Sequence, residues 1–316
     1  MANRKAVVAI GGNSLIKDRY HQTVRDQYIA AGETCWHIAA MIQDGWDVAI
    51  THGNGPQVGF ILRRSELASH ELHEIPLDVA GADTQGAIGY ALQQNLYNDF
   101  ARLGMDKDAV TVVTQVEVFA DDPAFQEPTK PIGSYMDEEL ASRRRDEEGW
   151  AVMEDAGRGW RRVVASPIPR RIVEIEAIRS LIDAGFVVIS TGGGGIPVVA
   201  DEQGNLMGVA AVIDKDYASS LLANDIGAEL FIISTAVEKV AINWGRPEQE
   251  WVDRITLSQA KEWLSEGSHF ASGSMAPKIE ACMWYLERGG REALITSPEH
   301  VERALAGETG TRIVPD

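Results

Sequence analysis

Three lysines occupy positions where a positive charge needs an explanation. Lys215 follows Asp214 at the start of one predicted helix, and Lys278 follows Pro277 at the start of another. The amino end of a helix already carries partial positive charge, so a lysine there is favourable only beside an anion. A third lysine, Lys130, lies between two prolines in PTKPIGSY. One such lysine alone would be read as a solvated surface residue. Two at helix starts near glycine-rich turns indicate an anion site.

Glycine-rich turns follow three predicted strands. They read VVAIGGN (7–13), AITHGNGPQVG (49–59) and VVISTGGGG (187–195). In an open parallel sheet, ligands bind beyond the carboxyl ends of the strands. Glycine there lets bare backbone N–H groups approach an anion. Three such turns at equivalent positions favour a phosphate-sized anion. The chain has no P-loop motif, and GNGPQVG departs from the dinucleotide fingerprint by one residue, so the usual nucleotide signatures are absent.

The only histidine in these turns is His52, and no Ser-His-Asp order or metal-spaced His/Cys cluster stands out. Two interpretations of His52 stay open: packing or turn hydrogen bonding, and a role near the substrate. The two cysteines, Cys35 and Cys282, each lie in an apolar helical pattern and are expected to be buried free thiols.

Composition restricts the class of partner. The 316 residues carry 29 Lys and Arg against 47 Asp and Glu, a formal net charge of −18. This balance argues against nucleic-acid and membrane-surface binding, so an anionic substrate needs a local basic site in an acidic protein. The sequence shows no export signal and no long apolar run, which predicts a cytoplasmic location.

Short apolar strands alternate with amphipathic helices along most of the chain. This alternation predicts an α/β fold with a largely parallel sheet between layers of helices. The predicted strands are 5–10, 46–51, 109–119, 186–190, 229–235, 239–243, 293–296 and 311–314; the clearest predicted helices are 23–43, 81–100, 171–184, 257–267 and 277–288.

The alternation lapses between residues 120 and 166, where charge, proline and glycine dominate. A disordered linker is one interpretation. The stretch also holds four aromatic residues, too many for a solvated tether: Phe125, Tyr135, Trp150 and Trp160. We therefore expect a small folded subdomain that protrudes as a lid.

The motifs occur in an order that closely resembles the carbamate kinases of the amino acid kinase family, nearly end to end. They are VVAIGGNSL, THGNGPQVG, GADTQGAIGY, PTKPIGSY, RRVVASP, GGGGIPVV, AVIDKDYASSLLA, VAINWGRP and GSMAPKIEA. The resemblance implies one domain over 1–316, a three-layer αβα sandwich around a mainly parallel open sheet. It further implies an N-terminal carbamoyl-binding lobe (1–200) with a lid insertion (119–166), a C-terminal nucleotide lobe (201–316), and a homodimer.

The resemblance also implies a reaction, ADP + carbamoyl phosphate ⇌ ATP + carbamate, with Mg²⁺ accompanying the nucleotide and no metal ligand assigned in the chain. Lys130, Lys215 and Lys278 would surround the phosphoryl group, and Asp216 would orient the lysines. Implied substrate contacts are Gly11, Gly12, Asn13, Gly53, Asn54, Gly55, Gly193 and Gly194. Implied nucleotide contacts are Thr235, Ala236, Val237, Val240, Met275 and Ala276.

The chemistry agrees with this set of residues. Carbamate attacks through an oxygen that is already anionic, so no general base is needed. Bringing two anions together and stabilising a loose transition state requires lysines, backbone N–H groups and Mg²⁺.

Several positions depart from the family pattern. Ala236 and Glu238 stand in the loop after a predicted strand, while Ile168, Arg170 and Tyr135 lie in or beside the lid. These departures leave open a kinase of a related small carboxylate or carbamate-like acceptor. A nucleotide-binding regulator without turnover is a second alternative, and a nicotinamide oxidoreductase is a distant third.

Overall fold

The computed structural model describes residues 4–12, 15, 16, 18, 20–154, 159–270 and 274–316, without the side chain of Ser134. The strands are β1 Arg4–Ile10, β2 Trp46–His52, β3 Ala109–Thr111, β4 Gln115–Glu117, β5 Lys130–Met136, β6 Val152–Glu154, β7 Trp160–Val164, β8 Arg171–Ile172, β9 Val187–Ile189, β10 Ile196–Ala200, β11 Leu206–Gly208, β12 Leu230–Ser234, β13 Val240–Ile242, β14 Glu250–Val252, β15 Arg254–Thr256, β16 Glu292–Thr296 and β17 Thr311–Val314. The helices are α1 Val24–Gln43, α2 Gly55–Ala68, α3 Leu77–Leu103, α4 Glu138–Glu148, α5 Ile175–Asp183, α6 Lys215–Asp225, α7 Leu257–Glu266, α8 Ala276–Glu287 and α9 Val301–Leu305.

The largest described sheet has eight strands in the order β15-β17-β16-β12-β1-β2-β9-β3. Its pairs are parallel except β16 with β17. Alternate residues of β1 enter opposite faces, since Val7 and Ala9 pack in one apolar cluster and Ala6, Val8 and Ile10 in the other. Helices α5, α6 and α8 cover the first face, and α1 and α3 cover the second. The predicted αβα sandwich is confirmed.

Two of the predicted elements are wrong. The single strand over 109–119 is two strands in different sheets, because β4 joins β11, β10 and β8. The chain bends between them where the hydroxyl of Thr114 donates to the carbonyl of Val112 at 2.6 Å. The helix predicted over 171–184 begins only at Ile175, since residues 171–172 pair with β4 as strand β8.

The expectation that the stretch between residues 120 and 166 folds is confirmed for its described part. Strands β5, β7 and β6 form an antiparallel sheet, and α4 packs beside β7. The guanidinium groups of Arg144 and Arg162 stack on the ring of Trp150. The subdomain meets α2 closely, because a Cβ built on Gly59 would lie 3.0 Å from the Cα of Gly133 in β5.

Both cysteines are buried free thiols, as expected. Burial raises the pKa of the Cys35 and Cys282 thiols above its ordinary value. Among the described residues, no helix has the length and apolar content needed to cross a membrane.

Candidate active site

The three lysines converge on two carboxylates at the amino end of α6. Lys278 donates to Asp216 Oδ2 at 2.9 Å, and Lys215 donates to the other oxygen of the same carboxylate. Lys130, on β5, donates to Asp214 Oδ2 at 2.6 Å. The structure thus brings together all four residues to which the sequence assigned catalysis: Lys130, Lys215, Asp216 and Lys278.

Asp216 is buried, with 3% of its surface exposed, and carries one charge for two ammonium groups. Burial alone would raise the pKa of Asp216, but the charges of Lys215 and Lys278 hold it well below its ordinary value. Burial and the charge of Lys278 lower the pKa of Lys215, whereas Asp216 raises the pKa of Lys278 despite burial. The cluster of Lys215, Lys278 and Asp216 therefore carries two positive charges and one negative charge, which leaves one positive charge unbalanced. An anionic phosphoryl group at this place would supply the missing negative charge.

Asp214 has a second role that sequence reasoning missed. The sequence places it at the start of a predicted helix, and its Oδ1 does cap α6 by accepting from the backbone N–H of Asp216 at 2.9 Å. Its other oxygen holds Lys130, which is 84 residues away along the chain. The pair of carboxylates in the segment DKD was the available signal, since a second acid two residues from Asp216 offers a place for the third lysine.

The glycine turns lie beside these lysines. A Cβ built on Gly53 would lie 3.2 Å from the backbone nitrogen of Gly12 and 3.4 Å from Lys215 Cδ. The strand-end turns of β1 and β2 therefore contact each other and the lysine. Gly11 donates its N–H to Ser234 at the end of β12, and Gly55 opens α2. Asn13 lies outside the described residues.

The third turn, Gly192–Gly194, packs on the other two. A Cβ on Gly193 would lie 2.0 Å from Asn54 Nδ2, and one on Gly194 would lie 2.3 Å from the carbonyl oxygen of Ile213. Both glycines have positive φ, 68° and 93°. The backbone of this turn can approach Asn54 and the segment before Asp214 only because no side chain intervenes.

Two buried polar residues of α3 position these turns, and sequence reasoning did not assign them. Thr84 accepts a hydrogen bond from Asn54 Nδ2 at 2.8 Å. Gln85 donates to the carbonyl oxygens of Gly192 at 3.0 Å and Thr114 at 3.1 Å. The signal was a pair of adjacent polar residues in a helix whose other buried residues are apolar except for Asp99.

His52 packs against the turn at Gly192–Gly194. Burial lowers the pKa of His52 to about 4, with the charge of Lys215 acting in the same direction, so the ring is neutral at pH 7. A Cβ on Gly192 would lie 2.3 Å from His52 Nε2, and this nitrogen has no hydrogen-bond partner among the described residues. These contacts support the packing interpretation of His52.

The close contact at Gly194 leads to a stability prediction. Gly194→Ala is expected to lower the free energy of unfolding by about 1–3 kcal/mol for the positive φ, and by roughly 1–3 kcal/mol more because the carbonyl of Ile213 must move. The matched control is Gly204→Ala, which has φ 84° but open space around the added Cβ. Urea unfolding of both variants measures the difference; equal losses would contradict the steric account.

The predicted nucleotide contacts lie on two segments of the chain. Thr235, Ala236 and Val237 follow the carboxyl end of β12, and Val240 begins β13. Met275 and Ala276 open α8, the helix that carries Lys278. These nucleotide contacts stay predictions.

The acidic residues of this region leave little room for a metal held by the chain alone. Among the described residues, no group of three or more His, Cys, Asp or Glu side chains is placed to hold a metal ion. The nearby Asp214 and Asp216 each bind lysines. This donor set fits Mg²⁺ that is held mainly by phosphate oxygens and water, as Mg²⁺ often is.

Comparison with known proteins agrees with this geometry. The sequence profile named Amino acid kinase family matches residues 4–297. This chain belongs to the amino acid kinase family. A protein named carbamate kinase-like protein YahI, from Escherichia coli, is 51% identical to it over 98% of each chain. The carbamate kinase of Thermococcus kodakarensis is 46% identical, over 98% of this family member and 99% of the relative.

A solved structure extends the similarity to the fold. Carbamate kinase from Giardia lamblia, bound to AMP-PNP, has a TM-score of 0.92 to this member of the amino acid kinase family and 39% sequence identity. The match covers 100% of this chain and 99% of that one.

Proposed function

We propose that this amino acid kinase is a carbamate kinase, which catalyses ADP + carbamoyl phosphate ⇌ ATP + carbamate. In the forward direction the bond between phosphorus and the carbamoyl oxygen breaks, and a bond to a β-phosphate oxygen of ADP forms. No proton is transferred, because carbamate leaves as an anion. The observation that carries the proposal is the buried Asp216 with two ammonium groups, beside three glycine turns and a third lysine.

Each part of the site has a role in this reaction. The transferring phosphoryl group passes through a loose transition state whose charge is spread over its oxygens. Lys215 and Lys278 would face these oxygens, and Asp216 would hold the two ammonium groups in position. The turns at Gly11–Gly12 and Gly53–Gly55 would offer the backbone N–H groups of Gly12 and Gly55 to the carbamoyl end, since those of Gly11 and Gly53 donate to Ser234 and Ile10. The segments at 235–240 and 275–276 would bind the nucleotide.

Mg²⁺ would enter with the nucleotide, where it neutralises phosphate charge. Its ligands would be phosphate oxygens and water, because the two aspartates of the site are engaged by lysines. Orientation of the phosphoryl group relative to carbamate is then the task of Lys130, Lys215 and Lys278.

The contact between Lys130 and Asp214 connects the lid to the lysine site. Lys130 reaches the site from β5, the first strand of the protruding subdomain, and its ammonium group is held by a carboxylate on the main body. Asp214→Asn removes the charge that holds Lys130 but keeps an oxygen to cap α6. We expect a KM for carbamoyl phosphate raised roughly fivefold to tenfold, since a part-exposed ion pair contributes about 1 kcal/mol, with a smaller change in kcat.

Steady-state kinetics with varied carbamoyl phosphate at saturating ADP measures this effect. The comparison variant is Asp214→Ala, which also removes the helix cap and should unfold at a lower temperature. An Asp214→Asn variant with unchanged KM would contradict a role for this pair in holding the lid.

The departures from the family pattern lie in contacts away from the lysines. Arg170 binds the buried carboxylate of Glu117 at 2.7 Å and stacks on Phe119. The backbone N–H of Ile168 donates to Asp122, and its side chain is exposed. These contacts favour an unchanged acceptor. We therefore expect ATP formation from carbamoyl phosphate to exceed that from acetyl phosphate by about tenfold or more, since loss of the amino group leaves a polar partner unpaired.

We further propose that the chain forms a homodimer through α3 and its surroundings. Val79, Tyr90 and Tyr97 are exposed on one face of α3, and Val113 is exposed just beyond the edge strand β3. Exposed apolar side chains grouped on one surface are a feature of protein–protein contact sites, which supports a subunit contact here. The molar mass in solution, measured by light scattering, tests this proposal.

A further inference from the structure

A cavity lies between α2 and the protruding subdomain, outside the lysine site. Its volume is about 190 Å³, roughly the space of six water molecules. One wall is formed by α2, and the opposite wall by β5, α4 and β7. Four aliphatic side chains line it: Leu62, Ile132, Met136 and Leu140. The cavity thus has room for a small organic molecule and an apolar surface to hold its carbon atoms.

Three guanidinium groups from three different elements also line the cavity. Arg63 of α2 donates to Glu66 at 3.0 Å, and Arg144 of α4 lies 3.5 Å from the same carboxylate. Arg144 also pairs with Glu148. Glu66 supplies the one carboxylate among the lining residues, and the guanidinium groups of Arg63 and Arg144 both lie beside it. These two arginines are therefore compensated within the protein.

Arg162 differs from the other two. Its guanidinium stacks on Trp150 at 4.6 Å and forms no hydrogen bond or ion pair with any described residue. Burial lowers the pKa of Arg162, although the more distant charges of Glu66, Glu148 and Glu74 oppose this effect. A half-buried cation without a hydrogen-bond acceptor is unfavourable. Such a group is therefore suited to receive an anion from outside.

We propose that this cavity is a binding site for a small organic monocarboxylate, whose carboxylate is held by Arg162 and whose short carbon chain contacts Leu62, Ile132 and Leu140. One uncompensated guanidinium matches one negative charge, and its planar fork fits a carboxylate in a bidentate pair. The apolar lining favours a carbon chain over a fully polar anion such as phosphate. The site is separate from the lysine cluster and involves none of its residues.

The position of the site links its occupant to the lid. A bound carboxylate would contact both α2, which follows the turn at Gly53–Gly55, and β5, which begins at Lys130. The binding claim itself does not depend on the proposed reaction, because it can be measured without nucleotide or carbamoyl phosphate.

The test is a titration of the full chain with butyrate in a chloride-free buffer. Binding is monitored by ligand-detected saturation-transfer NMR. Butyramide, the uncharged isostere, and inorganic phosphate are titrated in parallel. Arg162→Gln removes the charge. Arg288→Gln is the matched control, since Arg288 also stacks on a tryptophan, Trp284, but lies outside the cavity. Leu140→Trp fills the cavity and leaves Arg162 in place.

We expect saturable butyrate binding that Arg162→Gln weakens roughly tenfold to a hundredfold, as for loss of a charged hydrogen-bond partner. Leu140→Trp should also weaken it, whereas Arg288→Gln and Lys278→Ala should leave it unchanged. Butyramide should bind at least about tenfold more weakly. Absence of saturable binding, equal binding by Arg162→Gln, or loss in Lys278→Ala instead would overturn the proposal. Phosphate that binds more tightly than butyrate would overturn the assigned ligand class.

Discussion

Replacing Lys278 with alanine is expected to lower the rate of ATP formation by about a hundredfold or more, and Lys215→Ala should do the same. Removing one preorganised group that stabilises transition-state charge typically costs this much. Each variant leaves Asp216 with a single lysine, so the buried group no longer carries an excess positive charge. The loss should appear in kcat, because the missing charge acts most strongly on the transition state.

The measurement is the initial rate of ATP formation at saturating ADP and carbamoyl phosphate. Lys261→Ala is the control, since Lys261 is about half exposed and pairs with Glu287 on the surface of α7 and α8. It should retain the parent rate. Thermal unfolding of each variant shows whether the fold persists. A Lys278→Ala protein that folds and keeps more than about a tenth of the parent rate would contradict the role assigned to this residue.

Asp216→Asn should have the largest combined effect on stability and activity. Breaking a buried ion pair by removing one partner costs about 3–5 kcal/mol, because the remaining charge is left buried and uncompensated. Here two ammonium groups, those of Lys215 and Lys278, lose their carboxylate. The variant should therefore have a much lower free energy of unfolding at pH 7 and almost no turnover.

The pH dependence of this difference has a definite sign. The pKa of Asp216 is lowered in the folded state by its two lysines, against the effect of burial. Its contribution to stability is therefore full above the pKa of the unfolded state, about 3.9, and is lost as the pH falls towards the folded pKa. The stability gap between the parent protein and Asp216→Asn should narrow below about pH 4.

Urea unfolding of both proteins at several pH values measures the gap. Asp253→Asn serves as the control, because Asp253 is exposed and pairs with Lys239 on the surface. Exposed pairs contribute about 0–1 kcal/mol, so its change should be small. A gap for Asp216→Asn no larger than that of the control would show that the buried cluster does not stabilise the fold.

Local signals explain how much of the site could be predicted from sequence. A capping aspartate before Lys215 and a proline before Lys278 mark helix starts, and glycines mark the ends of β1 and β2. Because the carboxyl ends of parallel strands share one edge of the sheet, these residues had to lie near each other. The alternation of apolar strands and amphipathic helices along the sequence likewise predicted the layers of the αβα sandwich.

Long-range contacts explain what could not be predicted. Asp214 holds Lys130 across 84 residues, and Thr84 binds Asn54 across 30. The periodicity of apolar residues along the sequence does not indicate which distant polar side chains will form hydrogen bonds. The prediction of one strand over 109–119 was wrong for a related reason, because an apolar run does not show where a chain leaves one sheet for another. The bend at Thr114 depends on Gln85 of α3, whose side chain also binds Gly192.

The most direct test of the account is ATP formation by the purified protein from ADP and carbamoyl phosphate with Mg²⁺. Luciferase detection follows the product, with acetyl phosphate as the alternative donor and Lys278→Ala as the inactive reference. The account predicts rapid, ADP-dependent ATP formation from carbamoyl phosphate and a rate at least about tenfold lower from acetyl phosphate. A protein that binds ADP but forms no ATP from carbamoyl phosphate, or that prefers acetyl phosphate, would contradict it.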